Sequence, residues 1–80
     1  MVFLVLTKQG FQKVQKEVKI NNLIIWVNNN VLSENELTLY RNQGFQITNF
    51  FYTINSTDTI EEALTTISEH HPNEPIFIEH

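Results

Sequence analysis

Two uninterrupted apolar runs stand out along the chain, Val2-Phe3-Leu4-Val5-Leu6 and Leu23-Ile24-Ile25-Trp26-Val27. A strand covered on both faces reads this way, because neither set of alternate positions has to meet water. Between the runs, Phe11, Val14 and Val18 recur at helical spacing among Lys, Gln and Glu. That pattern predicts an amphipathic helix over 8–19, with Thr7 as its N-cap.

The next helix carries its own start and stop. Ser33 and Glu36 have capping-box spacing, and Leu32 with Leu37 has the spacing of a hydrophobic staple. Arg41 falls near the end, where the helix dipole favours a cation, and Gly44 offers a left-handed stop. Residues 45–54 have mixed hydrophobicity and predict a third strand. Asn55-Ser56-Thr57-Asp58 reads as a turn. A third helix follows, capped by Asp58 with Glu61 or Thr59 with Glu62, with Ile60, Ala63, Leu64 and Ile67 on one face. His70-His71-Pro72 ends it, and Pro75–Glu79 forms a short last strand.

The predicted class is therefore α/β: a single domain over 1–80, order βαβαβαβ, with a four-stranded, mainly parallel sheet in two or three layers. Helical crossovers between parallel strands are right-handed. A strand order of 1-2-3-4 would put every helix on one face and leave the other bare. Order 2-1-3-4 is preferred, as in a shortened doubly wound sheet. The first helix would then lie alone on one face, opposite the second and third. Part of strands 3 and 4 would lack a cover, and the candidate interface residues there are Phe50, Phe51, Tyr52, Ile76, Phe77 and Ile78.

Composition narrows the function. With no cysteine there is no disulfide, thiol nucleophile or Cys-based zinc site, which suits a reducing compartment. Polar Thr7-Lys8-Gln9 ends the first apolar run too early for a signal peptide. No apolar run approaches the roughly 20 residues that span a bilayer. A cytoplasmic location away from membranes is expected. The formal net charge of −4 argues against general nucleic-acid binding, which needs a positive footprint. The charge is uneven. Residues 1–20 hold four lysines and one glutamate, whereas residues 21–80 hold Arg41 against eight acids. The first helix should be basic and the third acidic.

Candidate chemistry gathers where the strands end, because open parallel sheets bind ligands beyond their carboxyl edge. Thr7, Lys8 and Gly10 follow strand 1, Asn28 and Asn29 follow strand 2, and Asn55 and Ser56 follow strand 3. A lysine and a glycine in a first helical turn oppose local preference, which suits an anion held at a helix N-terminus. The segment lacks the multiple glycines and the Gly-Lys-Ser/Thr ending of a phosphate loop.

Neighbouring His70 and His71 point about 100° apart on a helix and do not converge on one ion. Ser33, Ser56 and Ser68 lie in no nucleophile pattern, and Glu61 and Glu62 open a helix where acids are stabilising. No catalytic residue, metal or cofactor is assigned. Binding is expected ahead of catalysis: an interaction or regulatory protein that self-associates as a homodimer or docks a protein partner through strands 3 and 4. The alternative is a small-molecule or anion-binding domain, or a minimal enzyme, at the strand ends.

Overall fold

The computed structural model describes residues 1–17 and 23–80. The expected helical positions Val18 and Lys19, and the Asn21-Asn22 boundary, lie outside the described residues. The described elements are β1 (Val2–Val5), α1 (Lys8–Glu17), β2 (Ile24–Val27), α2 (Glu34–Asn42), β3 (Gln46–Asn49), α3 (Thr57–His70) and β4 (Ile76–Glu79). The four strands form one all-parallel sheet.

The sheet order is β3-β2-β1-β4, not 2-1-3-4. Burial explains the difference. β1 and β2 are apolar at every position, so both belong in the interior of the sheet. Order 2-1-3-4 would have exposed β2 at an edge and buried β3, whose Gln46 and Thr48 are polar. Handedness then sets the layers. Two successive right-handed steps, β1 to β2 to β3, place α1 and α2 on the same face. The return from β3 to β4 runs the other way and places α3 on the opposite face. The expected pairing of the second and third helices is thereby corrected.

Each face has its own core. Phe3, Val5, Ile25, Val27 and Ile47 pack under Phe11 and Val14 of α1 and Leu37 of α2. Val2, Leu4 and Trp26 pack under Ala63 and Ile67 of α3, with Phe50 and Ile54. Consecutive strand residues thus serve opposite cores, which is why both runs are continuous.

Thr7 caps α1, its Oγ1 accepting from the Gly10 N–H at 3.0 Å. In α2 the Ser33–Glu36 capping box is complete, and Leu32 and Leu37 are buried in one core. Gly44 takes φ +98°, the left-handed stop.

Two boundaries differ from expectation. β3 ends at Asn49, so Phe50 to Ile54 lie outside the strand. The bond from the Phe50 N–H to the Val27 carbonyl is the last on this side, and the chain then turns toward Asn28. α3 begins at Thr57, and its cap pair is Ser56 with Thr59. Thr59 Oγ1 accepts from the N–H groups of both Asn55 and Ser56 at 3.0 Å, so a short hydroxyl does the work expected of a glutamate.

Candidate functional site

The strand-end residues are held chiefly by one another. Asn28 is 7% exposed, and its Nδ2 donates to the carbonyls of Leu6 and Ile54 at 3.1 and 3.0 Å. Its Oδ1 accepts from the Ile54 N–H at 2.7 Å. The carboxamide ties the ends of β1 and β2 to the segment after β3. Lys8 reaches across to α2, with Nζ 3.1 Å from Glu36 Oε2. Hydrogen bonding from the Ser33 backbone, and then from Lys8, holds the Glu36 carboxyl below its ordinary pKa.

Gly10 has a packing reason. A Cβ there would lie 3.0 Å from the Glu79 carbonyl oxygen and 3.3 Å from that of His80. The end of β4 therefore crosses the first turn of α1, the place where an anion was expected. Asn29 is half-buried, and Asn55 and Ser56 are exposed at the start of α3.

The six interface candidates separate. Ile76, Phe77 and Ile78 lie on β4, and Phe50, Phe51 and Tyr52 follow β3 at the opposite edge of the sheet. They do not form one surface. Phe50 turns inward, its ring 5.3 Å from that of Trp26. Phe51 is 97% exposed and Tyr52 37%. The loop carrying them is anchored at both ends, by Phe50 to Val27 and by Ile54 to Asn28.

Beside Phe51 the fold leaves a groove of about 290 Å³, lined by Trp26, Thr48 and Phe50, by Thr66 and His70 of α3, and by Tyr52. Its origin is geometric. A helix about 10 Å wide cannot cover four strands spaced about 4.8 Å apart. The α1–α2 face has two helices and the α3 face one. Two buried polar atoms among its lining residues, Trp26 Nε1 and Asn49 Oδ1, have no hydrogen-bond partner among the described residues.

A second, open groove of about 690 Å³ adjoins it through Tyr52 and Thr66 and carries Asp58, Glu61 and Glu62. Burial, and then the charge of Glu62, pushes the Tyr52 phenol up from its ordinary pKa. A third, of about 330 Å³, lies on the α2 side of β3 and is lined by Leu37, Arg41, Ile47 and again Phe51. Phe51 thus borders grooves on both sides of the β3 edge.

The aromatic run in the sequence singles out Phe51 and Tyr52, but nothing local marks Trp26, Thr48, Thr66 or His70 as neighbours of a groove. Thr48, on the same sheet face as Trp26, is the one signal available, because it is a polar residue at an otherwise apolar level. Among the described residues, no group of three or more His, Asp or Glu is placed to hold a metal ion. No helix among them is long and apolar enough to cross a membrane. No family model, curated protein or solved structure matches the chain.

Proposed function

We propose that this chain is a small interaction protein that docks an extended segment of a partner against the loop after β3. The segment would seat an apolar side chain in the groove over Trp26 and place lysine or arginine over Asp58, Glu61 and Glu62. The observation that carries this reading is Phe51, an aromatic ring 97% exposed on a loop anchored at both ends. Aromatic anchors surrounded by polar rims are what interface centres are made of. The sign of the flanking charge follows from the three carboxylates of the adjoining groove.

Amide and indole NMR titration with short synthetic peptides tests it. One peptide has a central leucine flanked by lysines, and its control replaces the lysines with glutamates. The lysine peptide is expected to shift Thr48 to Tyr52, Thr66, His70 and the Trp26 indole. The variants Phe51→Asp and Glu61→Lys with Glu62→Lys should each remove those shifts. Equal responses to both peptides, or shifts confined to other surfaces, would sink the proposal.

The strand-end alternative draws less support. Asn28 and Lys8 already have partners, and the backbone of β4 fills the space beside Gly10.

A further inference from the structure

The two edges of the sheet are unequally defended. On β3, the Arg41 guanidinium donates through Nε and Nη2 to the Ile47 carbonyl, at 3.2 and 2.8 Å. That covers an outward acceptor with a charged side chain, and the strand is otherwise polar at Gln46, Thr48 and Asn49. Such devices block edge-to-edge pairing.

β4 has the opposite character. Its first three residues are Ile76, Phe77 and Ile78, with Phe77 46% exposed and both isoleucines only half-buried. Among the described residues it pairs with β1 alone. The Pro75 carbonyl accepts from Val2 and the Glu79 carbonyl from Leu6, so Pro75, Phe77 and Glu79 turn their backbone groups toward β1. Alternation leaves the N–H and C=O groups of Ile76 and Ile78 facing outward. Pro75, which could have blocked the edge by lacking an N–H, is spent on the inner side.

From these features we infer that β4 pairs antiparallel with β4 of a second copy, across a twofold axis at Phe77. The register follows from which residues face outward. Setting Ile76 against Ile78 of the other copy gives two hydrogen-bonded pairs, related by the axis, and four backbone bonds. Phe77 then meets its own symmetry mate at the non-bonded position between them, with Cα atoms roughly 4.5 Å apart.

The other twofold registers are worse. Centring on Ile76 sets Ile78 against Glu74, and centring on Ile78 sets Phe77 against Glu79. Only the Phe77 register sets every apolar side chain against another, the two phenylalanines on the α1–α2 face and the four isoleucines on the α3 face, and its interface is closed, so it forms a pair and no filament. A contact this short buries less than the roughly 1,200 Å² of stable interfaces, so the pair is weak and dissociates on dilution. The result is an eight-stranded sheet with both Phe51 loops at its far ends, which leaves the proposed docking site open.

Light scattering on a size-exclusion column, run as a dilution series, tests the inference. The mass should rise with concentration from 9.4 kDa toward twice that value. Phe77→Glu should stay monomeric throughout while remaining folded by circular dichroism. Ile78→Pro should do the same, because it removes an outward N–H and leaves the β1 ladder intact. Phe51→Asp should dimerise like the parent chain. The chain has no cysteine, so Phe77→Cys should cross-link to itself under mild oxidation and Phe51→Cys should not. A monomer at every concentration would overturn the inference. So would a dimer that survives Phe77→Glu and Ile78→Pro, or one that Phe51→Asp abolishes.

Discussion

The Asn28 side chain pairs with the Ile54 backbone as a neighbouring strand would. Its Oδ1 accepts from the Ile54 N–H at 2.7 Å, and its Nδ2 donates to the Ile54 carbonyl at 3.0 Å. The second Nδ2 proton goes to Leu6, so one carboxamide ties the C-terminal ends of β1 and β2 to the segment that leads into α3. Because Ile54 is buried, water cannot replace these bonds.

Replacing Asn28 with alanine should therefore cost about 2–4 kcal/mol, since it leaves buried backbone groups without partners. Asn28→Asp should also destabilise, because it exchanges two donors for a buried charge. Denaturant unfolding measures both. A loss under about 0.5 kcal/mol would mean that the segment after β3 is held by other contacts.

Gly10→Ala should run against helix propensity. Alanine in place of glycine inside a helix normally stabilises by about 1 kcal/mol. Here the new methyl meets the Glu79 carbonyl at 3.0 Å, and that oxygen is itself fixed by the Leu6 N–H. The expected outcome is a lower melting temperature. A higher one would show that the end of β4 yields without cost.

Phe50 and Phe51 are adjacent and should respond oppositely to truncation. Phe50→Ala removes a ring packed on Trp26 and should cost about 3 kcal/mol. Phe51→Ala should change stability by less than about 0.5 kcal/mol, because its ring is in water. Matched unfolding curves decide this. A comparable loss in both would mean that the Phe51 ring is covered in solution.

The Glu36 carboxyl is held below the ordinary value of 4.5 by its bonds to the Ser33 backbone and to Lys8. A depressed carboxyl stabilises the fold above its unfolded value, and that contribution is lost as pH falls through the folded one. Melting temperature followed downward from neutral pH should fall less steeply in Glu36→Gln than in the parent chain. Since the group is on the surface, added salt should shrink the difference. Parallel curves for the two proteins would show that the capping box needs no charge.

Local signals are readable from the residues alone. Ser33 and Glu36 are three apart, and Gly44 follows the last helical turn, so spacing is enough to mark the cap and the stop of α2. Ser56 with Thr59 has the same spacing, but Thr59 lacks the carboxylate by which such boxes are recognised. The role of Asn28 is hidden, because its partner lies 26 residues away and an asparagine after a strand is an ordinary turn former. The candidate interface is half legible. Phe51 and Phe77 both stand out as aromatics of the third and fourth strand regions, but their separation to opposite edges depends on strand order.

The sequence by itself determined the succession of strands and helices, the parallel sheet and the interior place of at least one fully apolar strand. These follow from periodicity and from right-handed crossovers, which act over a few neighbouring residues or one connection. Only the tertiary structure decided that β3 lies beside β2, that α3 covers one face alone and that a groove opens over Trp26. Those outcomes rest on a comparison of whole arrangements. Order β3-β2-β1-β4 buries β2 and leaves the polar side of β3 at an edge, and no local window of residues carries that balance.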